Sequence, residues 1–170
     1  MRLFFALWPP PEAARALAEW ARAVEKACGG RATRENSIHL TLAFLGDADP
    51  LKAGVAGRKV RAAAFDFPLD AAGYWPHNRI VWIGPQRMPD ALADLVQQLH
   101  RALVEEGFVL EGRAFAAHVT LLRKAARPAA IPPLPALTWP ASEFVLVRSK
   151  PSPTGSAYEA IERFPLAGSR

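Results

Sequence analysis

The amino-acid sequence predicts a mixed α+β fold made of two similar halves. An apolar strand pattern at residues 3–8 and a helical pattern precede His39, and a strand pattern at residues 80–83 and a helical pattern precede His118. The intervals from strand to histidine are nearly equal, 36 and 38 residues. A fixed order of elements that returns along a chain indicates an internal duplication. A two-fold pseudo-axis between the halves would bring both histidine strands to one cleft.

The first half contains two predicted helices. Residues 11–27 place apolar side chains on one helical face, and two consecutive glycines follow them. Residues 51–64 form a weaker helical pattern, because Gly54 and Gly57 each cost a helix roughly 1 kcal/mol relative to alanine. We therefore expect the first helix to be more stable than the second.

Strand patterns predominate after the second helix. Alternating apolar residues predict one half-buried strand from Phe65 to Trp75, and a hairpin turn at residues 76–78 leads into a strand at 79–84. Three later segments complete the prediction, namely a third helix at residues 89–106 and a closing pair of strands at 143–147 and 157–161. A segment rich in proline and alanine, residues 125–135, is expected to be a surface connection.

The strongest chemical signal is the pattern His-x-Thr-x, which occurs at residues 39–42 and again at 118–121. As a strand, the first copy places His39 and Thr41 on one face, and it directs Leu40, Leu42 and Phe44 into the core. The second copy does the same for His118 and Thr120, since apolar residues again occupy the alternate positions. Two of the four histidines in the chain belong to this pattern.

The composition of the chain restricts the function independently of the motif. The 170 residues are 51% hydrophobic and suit one domain, or two intimate lobes, with a substantial core. The formal net charge of +5 favours an anionic partner such as nucleic acid or a phosphorylated small molecule. The single cysteine, Cys28, rules out an intrachain disulfide and suits a reducing compartment, so we expect a cytoplasmic protein. We also expect a monomer.

Two His-x-Thr pairs can perform acid–base chemistry on a phosphate. An unperturbed histidine pKa of about 6.5 lets one imidazole act as a base while the other acts as an acid near neutral pH. Two threonine hydroxyls beside them can donate hydrogen bonds to phosphate oxygens. Attack and departure on opposite sides of phosphorus is the geometry that phosphoryl transfer requires, and opposed histidines supply it without a metal.

Other chemistries have less support in the sequence. A zinc site would need a third protein ligand, and neither motif has the short spacing of such sites. No Gly-x-Ser-x-Gly, phosphate-loop or dinucleotide pattern occurs, so no cofactor is expected. Cys28 falls on a helical pattern and is expected to be a buried apolar residue rather than a nucleophile. His77, in a turn, and His100, on a helix, are expected to be structural or solvated.

The two motifs and their flanks resemble the two-histidine phosphoesterase superfamily, and in particular its bacterial and archaeal 2′-5′ RNA ligase / RNA 2′,3′-cyclic phosphodiesterase branch. The resemblance spans nearly the whole chain and is carried by residues 1–7, 37–46, 113–123, 156–158 and 163–166. It implies a bilobal α+β fold in which two pseudo-symmetric antiparallel sheets line a central cleft, with the helices outside. The sequence departs from the family at Ala43, where a basic residue is frequent, and at Ala114 and Ala117, near which proline is frequent.

The resemblance also implies an activity and a role for each motif residue. The expected reaction is the metal-free opening of an RNA 2′,3′-cyclic phosphate to a 2′-phosphomonoester, with a related, reversible 2′-5′ ligation. By motif match, His39 would protonate the departing 3′ oxygen and His118 would deprotonate the attacking water. Thr41 and Thr120 would hold the phosphate oxygens. Arg123 would add positive charge at the phosphate site.

More than one substrate fits these residues. Three aromatic side chains, Tyr74, Trp75 and Trp139, are candidates for stacking a base. Basic residues expected near the cleft can follow an RNA backbone: Arg31, Arg34, Arg79, Arg113, Arg123, Lys124, Arg127, Arg148 and Lys150. One alternative keeps the chemistry on a small cyclic nucleotide or a cyclic phosphate of ADP-ribose. Another is a non-catalytic module that binds RNA ends or nucleotides.

Overall fold

The fold is a large antiparallel sheet with helices packed on one of its faces. The computed structural model describes residues 1–127 and 130–168. The α-helices and strands of this part of the chain are, in order, β1 (Arg2–Leu7), α1 (Pro11–Cys28), β2 (Arg31–Ala32), β3 (Leu40–Asp47), α2 (Pro50–Lys59), β4 (Phe65–Pro68), β5 (Ala71–Trp75), β6 (Ile80–Gly84), α3 (Asp90–Glu105), β7 (Val119–Arg123), β8 (Thr138–Ala141), β9 (Glu143–Ser152) and β10 (Gly155–Pro165), and a short 3₁₀ helix (Glu35–Ser37) precedes β3.

The large sheet is divided into two lobes by a narrow junction. Its strand order is β10-β9-β1-β3-β7-β6-β5, and β2 pairs with the outer part of β7. The central strands β3 and β7 pair through Leu40 and Val119. We call β10-β9-β1-β3 the first lobe and β7-β6-β5 with β2 the second lobe. A two-stranded sheet, β4-β8, completes the structure. The predicted α+β class with antiparallel sheets is confirmed.

Strand β1 shows how the two faces of the first lobe differ. Leu3, Phe5 and Leu7 belong to the main core, together with apolar residues of all three helices. Phe4 and Ala6 point the other way, into a smaller apolar cluster with residues of β9. Because both faces of β1 are covered, its sequence is a continuous apolar run rather than an alternating one. We call the face opposite the helices the cleft face.

Several predicted elements are confirmed with small changes of length. The helices expected at residues 11–27 and 89–106 are α1 and α3, and the hairpin turn at residues 76–78 joins β5 to β6. The closing strands extend well beyond the alternating segments, and they meet at the two-residue turn Pro153-Thr154. The second histidine strand was predicted at residues 115–122, whereas β7 begins only at Val119.

The second helix ends earlier than predicted, at Lys59 rather than residue 64. The amide of Val60 donates to the carbonyl of Gly57 (3.2 Å), which closes the last turn. The chain then pairs with its own C-terminal segment instead. The amide of Ala64 donates to the carbonyl of Ala167 (2.8 Å), and the amide of Ala167 donates to the carbonyl of Ala62 (2.9 Å). Long-range pairing therefore overrides the local helical pattern.

The single strand predicted from Phe65 to Trp75 is wrong. It is two strands in different sheets, because β4 pairs with β8 while β5 pairs with β6. The corner between them is fixed by hydrogen bonds. The amide of Leu69 donates to the carbonyl of Leu137 (3.1 Å), and the carboxylate of Asp70 accepts from the amide of Gln86 (2.7 Å).

The connection at residues 125–135 is only partly a surface segment, and residues 128–129 lie outside the described part. Its later half is attached to α1, since the indole Nε1 of Trp20 lies 3.1 Å from the carbonyl oxygen of Pro133. Ile131 and Leu134 pack against the main core. Ala125, at its start, is also buried.

Candidate active site

The two His-x-Thr-x segments meet at the junction between the lobes. Leu40 and Val119, the residues that pair there, directly follow the two histidines in the sequence. Both of these side chains are 0% exposed and belong to the main core. Because side chains alternate along a strand, the residues on either side of this pair project from the cleft face.

All four motif side chains therefore share the cleft face. In the register set by Leu40 and Val119, His39 lies across from Thr120, and Thr41 lies across from His118. Each lobe thus contributes one imidazole and one hydroxyl to the cleft face. All four side chains are partly buried. This is the cleft that the repeated motif predicts.

The same backbone hydrogen bond fixes both imidazoles. Nδ1 of His39 lies 2.7 Å from the carbonyl oxygen of Ser37, and Nδ1 of His118 lies 2.9 Å from the carbonyl oxygen of Ala116. A carbonyl oxygen only accepts, so Nδ1 is the donor and carries a proton in each ring. In the neutral form this leaves Nε2, at the opposite edge of the ring, as the basic nitrogen. Both histidines are thus prepared to exchange a proton at Nε2.

Aromatic rings enclose His39. The indole of Trp8 stacks on it with ring centroids 4.9 Å apart. The centroid of Phe4 lies at 5.0 Å, and that of Tyr158, whose ring is nearly perpendicular to the imidazole, lies at 5.2 Å. Burial lowers the pKa of His39 to about 4, although its hydrogen bond to Ser37 acts in the opposite direction. His39 is consequently neutral in the free protein at pH 7.

The positive charges across the junction also act on His39. Arg123 and His118 lower its pKa further by electrostatic repulsion, although less than burial does. Arg123 is exposed at the end of β7, across from Arg31 of β2. Its charge is felt at His39, and its contact with a bound phosphate stays a prediction.

The second histidine has fewer aromatic neighbours. Trp75 approaches His118 edge-on with ring centroids 4.7 Å apart, and it also packs on Trp82 at 5.6 Å. Trp75 is partly exposed, so it is the aromatic candidate that lies at the site. Trp139 is not available for stacking a base, because it is 0% exposed and packs on Phe67 at 5.5 Å. Tyr74 packs against the main core.

Phe44 does not face the core as predicted. It is 51% exposed and stacks on Phe4 across the sheet, with ring centroids 5.8 Å apart. The cause is a β-bulge: Phe5 pairs with Ala43 and Ala6 with Thr41, so an extra residue between them reverses the alternation. The consecutive apolar residues of this strand gave no signal for the bulge. An exposed ring next to the site is its result.

Four of the predicted basic residues have polar partners of two kinds. Arg113 and Lys150 form ion pairs with Glu111 (2.9 Å) and Glu159 (3.0 Å), so their charges are compensated. Arg31 and Arg34 instead reach the tip of the β9–β10 hairpin. Arg34 donates to the hydroxyl of Thr154 (3.2 Å) and to the carbonyl of Ser156 (3.3 Å), and Arg31 donates to the carbonyl of Thr154 (3.4 Å). These hydrogen bonds join the two lobes at one end.

The remaining candidates occupy structural positions. Cys28 is buried, and Nε2 of His100 lies 3.0 Å from the carbonyl oxygen of Leu42, while His77 is exposed in the β5–β6 turn. Among residues 1–127 and 130–168, no three side chains of His, Cys, Asp or Glu lie close enough together to hold a metal ion. In the same part of the chain, no helix is long and apolar enough to cross a membrane.

Known proteins are similar to this chain over nearly its whole length. A family profile described as LigT like Phosphoesterase matches residues 7–82. The chain is 34% identical to an RNA 2′,3′-cyclic phosphodiesterase of Escherichia coli, over 97% of this chain and 96% of the relative. It is also 34% identical to one of Thermus thermophilus, over 99% of this chain and 91% of the relative.

Solved structures agree with the sequence comparison. The crystal structure of Escherichia coli LigT complexed with 3′-AMP has a TM-score of 0.87 at 32% identity and covers 98% of both chains. That of TT0787 of Thermus thermophilus has a TM-score of 0.84 at 30% identity and covers 100% of both. Fold and site together define a phosphoesterase-type arrangement of two His-Thr pairs. With relatives this similar over nearly their full length, the chain belongs to the LigT-like phosphoesterase family.

Proposed function

We propose that this protein is an RNA 2′,3′-cyclic phosphodiesterase that opens the terminal cyclic phosphate to a 2′-phosphomonoester. The observation that carries the proposal is the common cleft face of the two His-Thr pairs, each imidazole fixed through Nδ1. Relatives that match nearly the whole chain bear the name RNA 2′,3′-cyclic phosphodiesterase, which supports the same reaction.

In the proposed mechanism the two histidines divide the proton transfers. Nε2 of His118 removes a proton from water, whose oxygen forms a new bond to phosphorus. The bond between phosphorus and the 3′ oxygen breaks, and that oxygen takes a proton from Nε2 of His39. The phosphate stays on the 2′ oxygen. Thr41 and Thr120 donate hydrogen bonds to the non-bridging oxygens, and Arg123 balances their negative charge.

The acid role of His39 depends on the substrate. A proton donor must be protonated, yet the pKa of His39 lies at about 4 in the free protein. A phosphodiester anion bound beside the ring favours the imidazolium form and raises this pKa. The stacked indole of Trp8 adds to this preference through a cation–π interaction. His39 therefore acquires its proton together with the substrate.

The same geometry serves 2′-5′ ligation. If the 5′ hydroxyl of a second RNA takes the place of water, the identical proton transfers join it to the 2′-linked phosphate. Reversal of these steps returns the cyclic phosphate. We include this reversible ligation, without a metal ion, in the proposal.

The proposal also includes the domain organisation, the oligomeric state, the cellular compartment and the substrate. The 170 residues act as one domain of two lobes, as a monomer in the cytoplasm, on RNA that ends in a 2′,3′-cyclic phosphate. The buried free thiol of Cys28 suits a reducing compartment.

An RNA oligomer with a 2′,3′-cyclic phosphate end, incubated in EDTA, tests the proposal. The expected product is the 2′-phosphomonoester, and His118→Ala should lower its rate by about two to four orders of magnitude, the usual contribution of general acid–base catalysis. Gln97→Ala, which changes an exposed residue of α3, is the control and should retain full activity.

Other outcomes distinguish the alternatives. A 3′-phosphate product, or activity that returns only with divalent metal, contradicts the mechanism. Tight RNA binding without turnover would favour a non-catalytic binding module. Turnover of small cyclic nucleotides or of a cyclic phosphate of ADP-ribose, but not of RNA, would change the substrate and leave the chemistry intact.

A further inference from the structure

A groove with a volume of about 490 Å³ adjoins the aromatic surroundings of His39. Two of its lining residues, Trp8 and Tyr158, also contact His39, with distances between ring centroids of 4.9 Å and 5.2 Å. The groove therefore lies directly beside the aromatic rings that contact His39. We call it the outer groove. Its volume lies in the range of small-molecule sites, roughly 300–1,000 Å³.

The floor of the outer groove is an apolar strip on the cleft face of the first lobe. It is formed by Val145 and Val147 of β9 and by Ala160 of β10, at alternating positions of paired strands. Val145 and Val147 are buried beneath the groove, whereas Ala160 is exposed. Such a strip suits a flat, uncharged group.

The charges in the groove compensate each other. Glu143 and Arg163 are the charged residues of its described lining, and their side chains form an ion pair with a distance of 3.0 Å. Asn36 and Ser142 supply neutral hydrogen-bonding groups. The lining thus resembles a site for a nucleobase, with an apolar surface and neutral polar groups, more than a site for a phosphate.

The position of the groove relative to the reaction indicates which base it holds. In the proposed mechanism His39 protonates the departing 3′ oxygen, so the terminal ribose lies on the side of His39. The RNA chain continues from that ribose in the 5′ direction. The outer groove is the concavity next to His39, whereas Trp75 lies beside His118, on the side of the attacking water.

We propose that the outer groove binds the base of the nucleotide immediately 5′ to the one that bears the cyclic phosphate. The proposal rests on the proposed function. The base lies on the Val145, Val147 and Ala160 strip, against the rings of Trp8 and Tyr158. Binding of this base makes the enzyme selective for RNA ends over mononucleotides.

A substitution that fills the groove tests this proposal. Ala160→Trp places a large side chain in the groove from an exposed position, so the core is not disturbed. Ala157→Trp is the matched control, since Ala157 is an exposed alanine of the same strand that does not line the groove. The substrates are a nucleoside 2′,3′-cyclic phosphate and a dinucleotide that ends in the same cyclic phosphate.

The expected result has two parts. The wild-type protein has the higher kcat/KM for the dinucleotide, by about tenfold or more, the effect of one stacked base. Ala160→Trp removes this advantage and leaves kcat/KM for the mononucleotide unchanged. Ala157→Trp changes kcat/KM for neither substrate.

Three results would overturn the proposal: no dinucleotide preference in the wild-type protein, an equal loss on both substrates in Ala160→Trp, or no effect of that substitution. If the wild-type protein turns over neither substrate, the proposed function fails instead. The groove is then tested by calorimetric binding of an uncyclised dinucleotide, which Ala160→Trp must weaken if the groove holds a base.

Discussion

At the scale of single residues, His39 and His118 make the same hydrogen bond in different surroundings. Three rings enclose His39, and one ring approaches His118 edge-on. Burial lowers the pKa of His39, although the motif gives both histidines the same sequence pattern. The acid role of His39 therefore depends on the bound phosphate, which favours the protonated ring.

The low pKa of His39 has a consequence for stability. The unfolded chain binds a proton at this residue below about pH 6.5, whereas the folded protein does so only below about pH 4. Folding is therefore favoured fully above pH 6.5, and this contribution is lost as the pH falls from 6.5 to 4.

His39→Asn should reduce that loss, because asparagine does not titrate and its side-chain amide can still donate to the carbonyl of Ser37. Between about pH 7.5 and about pH 4.5, denaturant unfolding should show the wild-type protein losing on the order of 2 kcal/mol more stability than the variant. Parallel losses in the two proteins would mean that the pKa of His39 is not lowered in the folded state.

At the scale of secondary-structure elements, close packing decides features that local preferences do not predict. Gly57 weakens α2, yet a Cβ at this position would lie 2.5 Å from the ring of Phe164. That ring is itself fixed, since it stacks on Phe144 with centroids 4.8 Å apart. The glycine therefore allows α2 to approach β10 closely.

Gly57→Ala should destabilise the protein by about 1 kcal/mol or more, because overpacking outweighs the gain in helix propensity. Gly54→Ala is the matched control in the same helix. Its Cβ would meet the ends of the Arg58 and Glu162 side chains, at 3.0 Å and 3.2 Å, and these ends can move. We expect Gly54→Ala to be neutral or stabilising. Thermal or denaturant unfolding measures both, and equal effects would contradict the packing argument.

The sequence predicted those elements whose pattern is local. The apolar stripe of α1, the turn between β5 and β6 and the alternation around His39 and His118 required no knowledge of distant residues. The predictions that were wrong depend on distant partners. The bulge that exposes Phe44 is defined by pairing with β1, and the early end of α2 is defined by pairing with Ala167.

At the scale of the whole molecule, the site exists because two lobes meet at Leu40 and Val119. The repeated motif predicts that its two copies share a cleft, but no local pattern specifies the pair of residues that joins them. The outer groove was likewise not predictable, because its lining comes from segments as distant in sequence as Trp8 and Arg163. Long-range topology thus supplies the geometry on which the proposed chemistry depends.

Leaving-group rescue tests the central claim, that His39 is the acid and His118 the base. In an RNA whose terminal cyclic phosphate carries sulfur in place of the 3′ oxygen, the leaving group is a thiolate, and thiols have a pKa of about 8.5. Such a group departs without a proton donor. Single-turnover hydrolysis of this RNA should therefore be restored in His39→Ala but remain slow in His118→Ala. Rescue of His118→Ala alone would reverse the two roles, and rescue of neither variant would contradict acid catalysis by these histidines.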